Sequence, residues 1–105
     1  MQRQLEVGLL PDSALDAAGA FMAFNLAAAR AVLAEPGTSA LAIVMPPAGP
    51  DHRDWRLALA RDLAREAAPR RVNVVAGREG AARAEALRFL ANAPGVTGQY
   101  LVCDE

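Results

Sequence analysis

The residues best placed to do chemistry sit in "RRVNVVAGREGAARAEAL", Arg70 to Leu87, where a β-branched run enters a turn holding Gly77 and Gly80 and leaves as an alanine-rich helix. Such a turn holds a phosphate when its backbone N–H groups and the helix N-terminus point at one anion. An isolated G-x-x-G is a weak form of that signal. A second cluster, "DHRD" (Asp51 to Asp54), sets one imidazole between two carboxylates. It has no second ligand at a helical spacing, so no metal site is expected, and the aspartates read as caps for the helix that follows. Cys103, near the C-terminus, has no His or Asn set beside it, and Tyr100 lies in an apolar strand; both read as packing residues.

The elements that must position these residues alternate in type. Leu5 to Leu10 is a short apolar run stopped by Pro11, read as a strand, and Asp12 or Ser13 can cap a long helix from Ser13 to about Ala34. Pro36-Gly37 ends that helix. Ala40 to Met45 (ALAIVM) is a strand buried on both faces, closed by Pro46-Pro47. A second helix starts between Asp51 and Asp54 and reaches about Ala68. Arg71 to Val75, Glu79 to Asn92 and Gln99 to Val102 supply a third strand, a third helix and a fourth strand. The order β-α-β-α-β-α-β, with right-handed crossovers, predicts an α/β domain with a four-stranded parallel sheet and helices on its faces.

The first helix is unusual. Between Ser13 and Ala34 its only charges are Asp16 and Arg30, while Phe21, Met22, Phe24, Leu26, Val32 and Leu33 spread over more than one face. A helix on a sheet needs one apolar stripe, so the outer side is expected to be covered by another chain. In the second helix Trp55, Leu59 and Leu63 recur at a spacing of four, and Arg56, Arg61, Asp62, Arg65 and Glu66 read as a solvated face.

With 105 residues, the chain fits one domain, residues 1–105, able to build its own core. It has a net charge of −1, 53% hydrophobic and 22% charged residues, which gives no electrostatic attraction for nucleic acid or anionic lipid. No apolar run approaches the ~20 residues that span a bilayer. One cysteine and no signal-like opening favour a reducing, cytoplasmic setting.

Three segments in order carry a family resemblance. "AFNLAAARAVL" (Ala23 to Leu33), "LALARDLAREAAPRRVNVVAG" (Leu57 to Gly77) and "EALRFLANAPGVTGQYLVCDE" (Glu85 to Glu105) resemble the C-terminal half of short-chain dehydrogenase/reductases, the Rossmann-fold family that includes ketoacyl-ACP reductases. The resemblance implies a truncated, three-layer α/β/α half-Rossmann domain that begins at the family's fourth strand. The glycine-rich dinucleotide turn follows the family's first strand, so Gly77 and Gly80, after its sixth, are not expected to hold a phosphate, and no cofactor is expected here. The family's Asn-Ala-Gly turn aligns with Leu9-Leu10-Pro11. Its catalytic Ser falls within Pro46 to Ala48, where there is no hydroxyl, and its Tyr and Lys fall near Gly49 and Arg53. Asn25 matches the family's helical Asn. The resemblance therefore implies no catalytic residues in this chain.

Two functional readings follow. In the first, the chain is a non-catalytic accessory subunit that pairs with itself or with a full-length catalytic reductase. The family's assembly surfaces then imply interface roles for Phe21, Met22, Phe24, Asn25, Ala28, Val32, Trp55 and Leu59 on one axis, and for Phe89, Tyr100, Val102 and Asp104 on the other. In the second, it is a contributing half of a heteromeric NAD(P)-dependent oxidoreductase, whose partner chain pairs along an apolar edge at Leu5 to Leu10 and supplies cofactor binding and catalysis.

Overall fold

A computed structural model describes residues 1–103. Four parallel strands form one sheet in the order β1-β2-β3-β4. They are β1 (Gln2–Glu6), β2 (Ala40–Met45), β3 (Arg71–Ala76) and β4 (Tyr100–Val102). Between them run α1 (Ala14–Phe24) and α2 (Leu26–Ala34), then α3 (Arg53–Ala67) behind a 3-10 turn at Pro50–His52, then α4 (Ala81–Ala91). The α/β half-Rossmann architecture expected from the sequence is present.

The strands explain the layers. Every residue of β2 is buried, because its side chains alternate between two covered faces. Leu41, Ile43 and Met45 point with Val72 and Val74 toward α1, α2 and α3, and meet Phe21, Ala29, Leu59 and Leu63 there. Ala42, Val44 and Val75 point the other way, against Leu87 and Leu90 of α4. Each crossover steps to the next strand in the same direction, yet the last helix lies on the opposite face from the others. The third crossover therefore has the opposite hand to the first two, a departure from the uniformly right-handed path expected.

Three further expectations are corrected. The first strand is Gln2–Glu6, not Leu5–Leu10. As an edge strand it is mostly polar, and the apolar run instead marks where the chain leaves the sheet: Val7 is buried while Leu9 is 97% exposed. The edge offered to a partner is thus not apolar. The long helix is broken at Asn25, and its two halves are bent by 47°. A straight helix of that span would run about 30 Å, against roughly 20 Å for a six-residue strand. The bend lets Phe21 from one half and Ala29 and Leu33 from the other reach the same core. Ser13 caps α1 as expected, its Oγ accepting from the Asp16 N–H at 3.0 Å. The aspartates do not cap α3: its N-cap is His52, which makes no side-chain capping bond.

Arginines close other helix ends. Arg70 donates through Nη1 to Leu33 O at 2.7 Å, at the end of α2. Arg71 donates to Leu90 O and Ala93 O at 2.8 and 2.9 Å, at the end of α4. Leu90 O and Ala93 O also accept from the Ala93 and Val96 N–H groups at 3.3 and 3.0 Å, and a cation at these helix ends suits the helix dipole. Among the described residues no single helix is long and apolar enough to cross a membrane; α1 and α2 reach that length and composition only as a bent pair.

Candidate functional site

The loops that leave the C-terminal ends of β1, β2 and β3 converge at one rim of the sheet, where parallel α/β folds place ligands. Two cavities open there and share Pro46 and Pro47 as a common wall. The larger, about 400 Å³, lies between Val7, Gly8 and Leu9 on one side and Gly77 and Arg78 on the other. Arg83 of α4 donates to Glu6 across it at 3.0 Å. The smaller, about 200 Å³, lies between Leu10–Asp12 and Pro46–Gly49, with Asp51, His52 and Arg56 below.

Gly77, at the start of the Gly77–Gly80 turn, is tied to the sheet. Gly77 donates its N–H to Met45 O at 3.1 Å, extending the sheet. A side chain there would stand 2.9 Å from Cys103 Cβ, so glycine at this position lets the turn pack against the end of β4.

His52 is a structural pin. Trp55 Nε1–H donates to His52 Nδ1 at 3.1 Å, so the ring proton is on Nε2, which donates to Asp12 O at 2.9 Å. The ring thereby ties the loop after β1 to the start of α3. Both nitrogens are used.

Arg56, read from the sequence as part of a solvated face, is 1% exposed. Its Nη1 donates to Pro46 O at 2.9 Å and Tyr100 Oη at 3.3 Å, and its guanidinium carbon lies 5.6 and 5.9 Å from the Trp55 and Tyr100 rings. The sequence does carry a signal for this. Arg56 lies three, four, seven and eleven residues before Leu59, Ala60, Leu63 and Ala67, the buried stripe of α3. The remaining charges of α3 are exposed as expected, and Arg65 pairs with Asp62.

The expected interface residues divide by location. Phe21 and Leu59 lie in the chain's own core, with Phe21 6.2 Å from the Trp55 ring, rather than on its surface. Asn25, Val32 and Trp55 are half-buried, while Met22, Ala28 and Phe24 are exposed, Phe24 at 82%. Leu15 of α1 is exposed as well, at 85%. A shallow groove between Met22, Leu26, Leu59 and Leu63 ends at the Arg30–Glu66 pair, two hydrogen bonds of 2.9 and 2.8 Å. Those bonds hold the Glu66 carboxyl below the usual carboxylate range and raise Arg30 further. On the other face Phe89 and Val102 are 55% and 59% exposed beside a groove floored by Leu101 and Cys103, and Tyr100 is half-buried at the sheet edge. Asp104 lies outside the described residues.

No hydroxyl stands at Pro46, Pro47 or Ala48, which wall the smaller cavity, and Asn25 lines neither cavity. No curated protein and no solved structure matches the chain. The family model described as SDR-like, short chain dehydrogenase-like protein, matches residues 5–103. With its four-stranded parallel sheet and a match over nearly all of its length, the chain belongs to the short-chain dehydrogenase-like family.

Proposed function

We propose that this chain is a non-catalytic, short-chain-dehydrogenase-like assembly subunit that oligomerises with itself or with a full-length catalytic reductase of the same family. The observation that carries the reading is the set of large apolar side chains of α1, Leu15, Met22 and Phe24, which the chain's own fold leaves in water. Exposed large side chains forgo roughly 1.5–3 kcal/mol each relative to burial, and a cluster of them marks an interaction surface. Phe89 and Val102 offer a second such surface across the sheet. The positions where the family resemblance sets Ser, Tyr and Lys hold Pro46 to Ala48, Gly49 and Arg53, which supply neither a hydroxyl nor a phenol. Binding surfaces without those groups suit a subunit that recruits or stabilises rather than reacts.

The test is the native mass by light scattering on a sizing column, for the chain alone and co-expressed with a full-length reductase encoded nearby. A stable mixed or self-assembled complex is the expected result. A monomer that ignores every partner would refute the proposal.

A second reading has one observation in its favour. β1 is an edge strand whose outer side pairs with nothing among the described residues, and a partner chain can add strands there. In that case the mixed complex binds dinucleotide through residues of both chains. Binding that is the same for the partner alone would exclude it.

A further inference from the structure

A buried cation with no ion-pair partner among the described residues stands at the rim of the sheet. Arg56 is enclosed by its own chain, yet it makes no ion pair with any described residue. Its hydrogen bonds all leave from Nη1, and the buried Nε has no acceptor. A guanidinium out of water is costly unless its charge and its N–H groups are matched. Two aromatic faces and a backbone carbonyl match part of it. The same side chain helps to wall the cavity of about 200 Å³ under Leu10–Asp12, several times the ~30 Å³ share of one water molecule.

We propose that this cavity binds a small monocarboxylate, with its carboxylate on the Arg56 guanidinium and its short apolar body against Leu10, Pro11 and Pro47. A carboxylate supplies the missing charge and a charge-assisted acceptor for Nη2, the guanidinium nitrogen that makes no hydrogen bond among the described residues. One negative charge is favoured over two. Among the described residues Arg56 is the only arginine or lysine lining the cavity, whose other charged side chains are the exposed carboxylates of Asp12 and Asp51, and these repel a phosphate dianion more strongly than a monoanion. His52 does not compete for the ligand, since both of its ring nitrogens already have partners.

Trp55 is the single tryptophan, and its ring lies over the guanidinium, so its indole N–H resonance reports on the site. The experiment titrates the intact protein with sodium propionate, and separately with propionamide and sodium chloride at matched concentrations. The expected result is a saturable shift with propionate alone, lost in Arg56→Gln and weakened about tenfold or more in Arg56→Lys, which keeps a charge without the planar guanidinium that lies over Trp55 and Tyr100. If Arg56→Gln does not fold, the Arg56→Lys comparison decides. A shift that chloride reproduces would mean an adventitious ion only and overturn the proposal. So would a propionate shift that neither substitution alters, or no shift at all.

Discussion

The indole N–H of Trp55 donates to His52 Nδ1 one turn back, and the opposite nitrogen of that ring holds the carbonyl of Asp12, forty residues away in sequence. Replacing His52 by Ala breaks both links and opens space beneath the Leu10–Asp12 loop. Because Trp55 is only partly buried, water can reach its indole, and the expected cost is about 1–2 kcal/mol. Urea unfolding checks this, with Trp55 fluorescence moving to longer wavelength in the folded variant. An unchanged midpoint would mean that the ring is not a pin.

Asn73 should be less forgiving. It is buried in β3, where Nδ2 donates to Val96 O and Oδ1 accepts from the Gln99 N–H, both at 3.0 Å. One side chain thus shapes the segment that delivers β4. Asn73→Leu leaves both backbone groups without that partner and is expected to cost about 2–3 kcal/mol. Asn73→Asp keeps the acceptor but sets a carboxylate against Val96 O, so it should be at least as damaging. Thermal unfolding and amide exchange in β4 measure both effects.

How much of this was legible in the sequence depended on whether local pattern or tertiary contact decided each residue. β2 and β3 could be read because continuous apolar runs have few other uses in a chain of this size. β1 differs from the sequence expectation because an edge strand needs no apolar run, while Leu5–Leu10 has one and spends most of it in a loop. The break at Asn25 has no proline or glycine to announce it; it arises from the mismatch between helix length and strand length. On residue type alone Arg56 belongs with the solvated face. Only the fold brings Pro46 and Tyr100, ten and forty-four residues away, to receive it. Phe21 and Phe24 look alike in the sequence, yet the bend after Phe24 turns one into the core and leaves the other outside.

That difference sets up a test of the two apolar faces. Phe24→Glu and Phe89→Glu each change an exposed side chain, so each should alter stability by no more than about 0.5 kcal/mol. If the faces are used in assembly, Phe24→Glu removes contacts across α1 and α2 and Phe89→Glu removes those across α4 and β4. Each should lower the native mass through its own face while the circular dichroism spectrum stays the same. Masses that match the unsubstituted chain in both variants would show that neither face assembles.

The Arg30–Glu66 pair joins α2 to α3 beside the first of those faces, and its pH dependence has a definite sign. Hydrogen bonds from Arg30, with a smaller direct charge attraction, hold the folded Glu66 carboxyl below its ordinary value; partial desolvation opposes them. In the unfolded chain it titrates in the usual carboxylate range. The pair's stabilisation is therefore fully present above that range and is lost as pH falls through the lower, folded value. Arg30, raised from an already high value, adds no dependence at accessible pH. Both side chains are about half exposed, at 55% and 49%, so the effect is small and screened by salt. Glu66→Gln should accordingly lower the denaturation midpoint slightly at neutral pH and low salt. The gap between the two proteins should close in molar salt, and close again in acid once pH has dropped well below about 4. A gap that is constant across pH and salt would assign the contribution of Glu66 to packing rather than to its charge.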